Sequence, residues 1–198
     1  MKWILVGLGN KGGEYAKTRH NAGRIVLDRL REAYNFPEWE YKKTYDALVS
    51  KGEIAGKEVL LIEPETYMND SGRSLVTLVK SEAQAAQLIV LHDDADLPLG
   101  AWRFGYDRGP GGQKGVASII ATLKSRAFIR VRIGIAPLQI EGATHVKAGD
   151  YVLAKFRAPE LALIERRGKA IGEGIEALLT DGLEIARSKW KKVQPEDK

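Results

Sequence analysis

Two polar segments of this chain carry side chains that together can activate a water molecule. Residues 7–23 form a glycine-rich stretch that contains His20, and residues 88–94 form an apolar run with a polar end that contains Asp93. Histidine, with an ordinary pKa of about 6.5, is a ready base near neutral pH. A carboxylate can hold an imidazole in one tautomer and stabilise it once charged. Because the chain has no cysteine and no serine in a nucleophile-elbow pattern, we predict a histidine–aspartate pair that activates water directly.

The polar part of each segment begins where a strand-like apolar run ends. Such runs lie at residues 2–6, 47–50, 59–62, 88–91, 102–104 and 131–135. Helical patterns alternate with them, beginning near Asn21, at Gly115 and at Pro159, a proline typical of a first helical turn. The alternation predicts an α/β fold, a single domain with a mixed, twisted β-sheet flanked by helices in three layers. Ligand-binding loops collect at strand ends in such sheets, which favours a site where both polar segments meet.

Two further segments are suited either to ligand binding or to an ordinary structural role. Asn69 opens a cluster of helix-capping residues, Asn-Asp-Ser, before a short apolar stripe. The spacing alone predicts a helix N-cap at Asn69. Residues 109–115, Gly-Pro-Gly-Gly-Gln-Lys-Gly, lead into a predicted helix. The backbone N–H groups of this loop and Lys114 are suited to a phosphate, although an ordinary flexible turn explains the sequence equally well.

The composition indicates a globular domain. The chain has 198 residues, 44% of them hydrophobic, so it can bury a core without covalent staples. The absence of cysteine excludes disulfides, a thiolate nucleophile and a cysteine-based zinc site. No apolar run is as long as a membrane span and no signal-peptide pattern begins the chain, so we expect a soluble cytoplasmic protein. We assign residues 1–190 to one domain and 191–198 to a polar tail.

The positive charge is concentrated in the middle of the chain. The formal net charge is +5, and residues 101–150 contain eight lysines and arginines against three acidic residues. The eight are Arg103, Arg108, Lys114, Lys124, Arg126, Arg130, Arg132 and Lys147. Clustering of this kind is typical of a polyanion partner such as RNA or DNA, although a solvated basic face would look the same.

Two cofactor hypotheses fit the sequence poorly. Gly7-x-Gly9-x-x-Gly12 matches the dinucleotide fingerprint, which requires a helix that begins inside the glycine turn. Here the amphipathic pattern begins only near residue 21. A metal site could be built from the acidic and histidine side chains of residues 92–96, but Leu97-Pro98 interrupts the ligand spacing that hard cations prefer. We therefore expect neither an organic cofactor nor a metal.

Four motifs, in matching order and spacing from residue 1 to about 190, resemble those of the bacterial peptidyl-tRNA hydrolases. They are Gly-Leu-Gly-Asn…Glu-Tyr…Thr-Arg-His-Asn-Ala-Gly at 7–23, Thr-Tyr-Met-Asn-x-Ser-Gly at 66–72, His-Asp-Asp-x-Asp-Leu-Pro-x-Gly at 92–100 and Arg-Val-Arg-Ile-Gly at 130–134. The resemblance implies hydrolysis of the ester that joins a peptide to the terminal ribose of tRNA. It also implies a monomer that needs no metal, no cofactor and no obligate protein partner.

The resemblance further implies roles for individual residues. His20 would be the general base, Asp93 would stabilise it, and Asn10 would sense the peptide side of the substrate. The remaining positions would contact the tRNA part of the substrate. Those that line the site and meet the 3′ end are Tyr15, Tyr67 and Asn69, and those that meet phosphates are Arg103 and Arg132.

This chain departs from the resemblance at two places. Family members usually carry His-Asn where this chain has Gln113-Lys114, and proline where it has Lys11. Lys114 can meet a phosphate, but it cannot accept a hydrogen bond as the usual asparagine can. The Gln113-Lys114 change motivates an alternative, a non-catalytic RNA-binding relative of the same fold. Retention of the set Asn10, His20, Asn69 and Asp93 favours the enzyme, because a binding module has no need of it.

Overall fold

The computed structural model describes residues 2–136 and 151–190. Lys147, one of the eight basic residues of the middle window, and the predicted polar tail at 191–198 lie outside the described residues. Within the described part, no helix combines the length and the apolar composition needed to cross a bilayer.

A mixed sheet of seven strands organises the described part of the chain. Its strands are β1 (Trp3–Gly7), β2 (Glu40–Lys42), β3 (Ala47–Ile54), β4 (Lys57–Pro64), β5 (Leu88–Pro98), β6 (Trp102–Tyr106) and β7 (Ile129–Ala136). Their order is β2-β3-β4-β1-β5-β7-β6. The central strands β4, β1, β5 and β7 are parallel, and the strands at both edges pair antiparallel. The predicted mixed sheet is confirmed.

Helices cover both faces of this sheet. They are α1 (Ala22–Ala33), α2 (Glu82–Ala85), α3 (Lys114–Leu123), α4 (Ala158–Asp181) and α5 (Leu183–Lys189), with 3₁₀ helices at Arg19–Asn21 and Met68–Leu75. One core cluster joins Leu5 of β1 to Leu27 of α1 and Ile171 of α4. The other joins Val6, on the opposite face of β1, to α3 and the second 3₁₀ helix. Since alternate residues of one strand enter different cores, the sheet is buried on both faces and the three-layer prediction is confirmed.

The predicted helix cap at Asn69 is wrong. The 3₁₀ helix begins at Met68 and its capping position is Tyr67, two residues before Asn69. Asn10 explains the difference, because its Oδ1 accepts the Met68 N–H at 2.9 Å. A side chain from a distant loop thus satisfies a free N–H group at the helix start, which a local capping residue would otherwise do.

Strand β2 has no counterpart among the predicted strands. It consists of three residues, Glu40–Lys42, none of which is fully buried. A short, solvent-facing edge strand has no apolar pattern, so the sequence gives no signal for it.

The connections leave a crevice between the carboxyl ends of β1 and β5. Pairing between these strands ends at Gly7 and Leu91, while β5 continues to Pro98 along β7. After β1 the chain passes over one face through α1, and it returns from β4 to β5 over the other face through the second 3₁₀ helix and α2. Such a switch point is where open α/β sheets bind ligands. Gly23 permits the close approach of α1, because a Cβ there would lie 2.3 Å from the Leu91 carbonyl oxygen.

Candidate active site

The crevice brings together the two groups that the sequence predicts to form a pair. His20 Nδ1 lies 2.8 Å from Asp93 Oδ2, and the two side chains are 11% and 4% exposed. Asp93 belongs to the part of β5 that extends beyond β1, and His20 lies in the 3₁₀ helix that precedes α1. An ionised Asp93 only accepts hydrogen bonds, so Nδ1 donates to it. The proton-free ring nitrogen of neutral His20 is then Nε2, for which no hydrogen-bond partner exists among the described residues.

Backbone pairing fixes the segment that carries His20. The His20 N–H donates to the Val152 carbonyl at 2.8 Å, and the Phe156 N–H donates to the Lys17 carbonyl at 2.9 Å. Between them, Arg19 donates to Glu160 at 2.7 Å. Burial alone would raise the pKa of Glu160, but hydrogen bonds from Arg19 and Arg157 lower it to about 2. The backbone that carries the imidazole is therefore held by two strand-like contacts and a buried ion pair.

Asn10 is held by four polar contacts at the wall of the crevice, three of them from Asn21 and Met68. Its backbone N–H donates to Asn21 Oδ1 at 2.9 Å, and its carbonyl accepts from Asn21 Nδ2 at 3.0 Å. Its side-chain Oδ1 accepts the Met68 N–H. Because a backbone N–H can only donate, this contact fixes the orientation of the amide. The amide nitrogen Nδ2 therefore remains available as a donor at the crevice.

A cluster of three polar side chains, Arg24, Glu63 and Glu65, also contacts Asn10 through Arg24. Arg24 donates to Glu63 at 2.9 Å, to Glu65 at 2.6 Å and, at 3.4 Å, to the Asn10 carbonyl. Burial raises the pKa of Glu63 to about 8 although the Arg24 charge opposes the shift. Removing Arg24 would leave the buried Glu63 carboxyl without its hydrogen-bond donor, which is destabilising. The first loop is thus anchored on both sides of His20.

A pocket opens over the pair, and most of the predicted site residues line it. Its polar lining comes from five separate segments of the chain, and Val152 and Leu153 add apolar groups. The lining residues are Asn10, His20, Tyr67, Met68, Asn69, His92, Asp93, Asp94, Ala95, Asp96, Gly111, Gly112, Gln113, Lys114, Val152 and Leu153. Tyr15 is not among them.

The two predicted phosphate-binding arginines lie beside the pocket, on neighbouring strands. Arg103 of β6 and Arg132 of β7 are directly opposite in the antiparallel register, so they share one face of the sheet. Arg132 Nε donates to Asp94, a residue of the pocket wall. Arg103 is exposed and forms no ion pair with any described residue. The basic strands therefore adjoin the rim of the pocket.

Two site residues escape sequence reasoning. Gln113 donates from Nε2 to Asp93 Oδ1 at 2.8 Å, so both carboxylate oxygens are occupied. The sequence shows Gln113 only as a departure from the pattern of relatives. His92 donates from Nδ1 to the Asp93 carbonyl at 2.8 Å, and burial lowers its pKa, which makes it a neutral structural neighbour. In the described part of the chain, no group of histidine and acidic side chains is arranged to hold a metal ion.

Comparison with known proteins finds similar proteins that align with nearly the whole chain. The sequence profile of the family described as peptidyl-tRNA hydrolase matches residues 4–198. The peptidyl-tRNA hydrolase of Lachnospira eligens is 38% identical, over 95% of this chain and 98% of its own, and that of Carboxydothermus hydrogenoformans is 37% identical, over 96% and 98%. The crystal structure of the Acinetobacter baumannii peptidyl-tRNA hydrolase superposes with a TM-score of 0.85 at 29% identity, covering 98% of this chain and 96% of that one. This chain is therefore a member of the peptidyl-tRNA hydrolase family.

Proposed function

We propose that this chain hydrolyses the ester between a peptide and the terminal ribose of tRNA, with His20 as the general base. The observation that carries the proposal is the buried 2.8 Å contact between His20 Nδ1 and Asp93 Oδ2 at the floor of the pocket. Membership of the family supports the substrate class. The arrangement needs no covalent intermediate, because it has a base for water but no cysteine or activated serine as a nucleophile.

In the first step, His20 Nε2 takes a proton from a water molecule as the water oxygen attacks the ester carbonyl. Asp93 keeps the ring proton on Nδ1 and stabilises the imidazolium that forms. The tetrahedral intermediate then collapses, the bond to the ribose oxygen breaks, and the imidazolium returns its proton to that oxygen. The products are a peptide acid and a tRNA with a free 3′-terminal ribose. A positioned base of this kind contributes about 10² to 10⁴ in rate.

Amide donors are available for the negative charge that develops on the carbonyl oxygen. The Met68 N–H holds Asn10 Oδ1, so the other end of the amide, Nδ2, can donate to the substrate. Asn69, in the second 3₁₀ helix, also lines the pocket and presents a second side-chain amide. Donors that are already fixed stabilise an oxyanion at little reorganisation cost. We assign Asn10 to the peptide side of the ester, and Tyr67 and Asn69 to the 3′ end.

Basic residues beside the pocket are suited to tRNA phosphates. Lys114 lines the rim at the start of α3, and Arg103 and Arg132 lie on the adjoining strands. Phosphate contacts supply binding energy away from the reacting atoms and orient the ester at the base. Tyr15 is assigned to the substrate by family resemblance alone. By the same resemblance, we propose that the chain works as a cytoplasmic monomer, with residues 1–190 as one domain and 191–198 as a tail.

The decisive experiment is single-turnover deacylation of an N-acetylated aminoacyl-tRNA in the presence of a chelator, comparing the parent protein with His20→Gln. We expect His20→Gln to lower the rate by about 10² to 10⁴. Circular dichroism checks that the variant is folded. Asp181→Asn, which changes an exposed carboxylate outside the pocket, serves as the control and should keep the parent rate.

The same experiment distinguishes the alternative, a non-catalytic RNA-binding relative. Such a protein would bind the tRNA with a salt-dependent affinity and leave its ester intact. Deacylation by the parent protein together with a near-inactive His20→Gln supports the enzyme. Equal deacylation by both proteins would remove His20 from the mechanism.

A further inference from the structure

Gln113 occupies the one oxygen of Asp93 that the proposed mechanism leaves unused. Its Nε2 lies 2.8 Å from Asp93 Oδ1, while His20 takes Oδ2. The side chain is 6% exposed, and it comes from the residue just before α3. The carboxylate is therefore held from two sides, by the base on one oxygen and by a neutral amide on the other.

The orientation of this amide is fixed by a second hydrogen bond. Gln113 Oε1 accepts the Val116 N–H of the first turn of α3 at 2.8 Å. A backbone N–H can only donate, so the amide oxygen must face Val116 and the NH₂ group must face Asp93. An ionised carboxylate only accepts, which matches that arrangement. The start of α3 thus decides which end of Gln113 reaches Asp93.

Packing leaves the amide little freedom to move away. Gln113 Nε2 lies 3.2 Å from the sulfur of Met68, whose own N–H is held by Asn10. Gly115 allows this arrangement, because a Cβ there would lie 2.5 Å from the Met68 sulfur and 3.1 Å from Gln113 Oε1. The contact joins β5, α3 and the second 3₁₀ helix at one point.

We propose that Gln113 is a positioning residue that acts through Asp93. Its hydrogen bond to Oδ1 fixes the plane of the carboxylate so that Oδ2 faces His20. An amide does not titrate, so this support is present at every pH. The histidine that relatives usually carry at this position can change its charge, whereas Gln113 cannot. The inference rests on the proposed function, since the effect on rate passes through His20.

The other titratable groups around this contact are few among the described residues. His92 is buried beside Asp93 and neutral, because burial lowers its pKa. Asp94 is paired with Arg132, Lys114 lies at the rim of the pocket, and Tyr151, which donates to the Ala95 carbonyl, interacts electrostatically with Asp93. The groups that share the Asp93 carboxylate oxygens are His20 and Gln113 alone within the described part of the chain.

The test compares three substitutions that separate the hydrogen bond from the packing. Gln113→Met keeps the volume but loses the donor, so we expect kcat to fall about tenfold to a hundredfold with KM unchanged. Gln113→Glu keeps an acceptor for Val116 but opposes a second carboxylate to Asp93. Gln113→His supplies a ring N–H as donor and should retain most of the parent rate at neutral pH.

The pH profile of Gln113→Glu provides a readout that a purely structural role would not change. Two adjacent carboxylates share one proton at low pH and carry an extra negative charge once it is lost. The extra charge favours the imidazolium form of His20, so we expect the rising limb of kcat/KM to move to higher pH by about one unit. Ser81→Ala, which removes the side-chain cap of α2, controls for a loss of stability alone. It should leave both kcat and the pH profile at parent values.

A measurement without substrate separates this inference from the proposed function. The His20 ring resonances, followed by NMR against pH, should show a titration midpoint displaced upward in Gln113→Glu relative to the parent. A parent-like kcat in Gln113→Met would overturn the role of Gln113. Inactivity of the parent protein with a displaced titration would instead count against the hydrolytic function and leave the coupling in place.

Discussion

Arg19 and Glu160, 141 positions apart in the chain, form a buried ion pair with Nη2 and Oε2 separated by 2.7 Å. The same guanidinium donates to the Ile135 carbonyl at 3.2 Å. One side chain therefore fastens the segment just before His20 to the start of α4 and to the end of β7. The position of the proposed base depends on contacts made far away in sequence.

Breaking this pair should destabilise the protein. In Arg19→Leu, Glu160 keeps only Arg157, whose side chain is 77% exposed, so we expect the free energy of unfolding to fall by about 3 kcal/mol. Urea denaturation measures the loss. Arg187→Leu breaks an exposed pair with Glu184 and should cost less than about 1 kcal/mol. Equal losses in the two variants would contradict the structural role of Arg19.

Acid should remove the contribution of Glu160. Its folded-state pKa of about 2 lies below the ordinary value of 4.5, so the ionised group stabilises the fold above pH 4.5. This stabilisation, about 3 kcal/mol for a shift of this size, is lost as the pH falls from 4.5 towards 2. The stability difference between the parent and Glu160→Gln should therefore be largest near neutral pH and shrink across that range. Urea denaturation of both proteins at several pH values measures this difference. A stability difference that stays constant with pH would refute the assignment.

Replacing Asp93 by asparagine should damage catalysis more than folding. The asparagine NH₂ group would donate to His20 Nδ1, which moves the ring proton to Nε2 and leaves no base facing water. We expect kcat for deacylation to fall by about 10² or more. Retained turnover in Asp93→Asn, with the tRNA affinity unchanged, would show that Asp93 does not control the tautomer of His20.

Binding of tRNA should weaken as salt rises, with a slope that counts phosphate contacts. We expect Arg103→Ala to reduce that slope by about one, because Arg103 is exposed and free of ion pairs within the described residues. Arg132→Ala should reduce it less, since Asp94 already compensates part of the Arg132 charge. Fluorescence titrations at several salt concentrations measure the slopes, with the exposed Lys57→Ala as control. An affinity that does not depend on salt would exclude phosphate recognition by these strands.

Apolar patterning was enough to predict most of the sheet. The runs predicted at residues 2–6, 59–62 and 88–91 became β1, β4 and β5, because strands buried on both faces must be apolar along their length. The helix predicted from Pro159 onward is α4, which runs to Asp181. The edge strand β2 was missed, because its exposed residues carry no such pattern.

The sequence by itself determined which chemical groups this protein has at the ends of its strands, and His20 and Asp93 could be chosen from their types and motifs. Tertiary structure alone decided their partners. Gln113 reaches Asp93, Asn10 replaces the cap expected at Asn69, and Arg19 finds Glu160, each across long stretches of chain. The physical reason is that hydrogen bonds and ion pairs act over a few ångströms in space. Sequence periodicity records only which face of an element is buried, and not which distant side chain lies opposite.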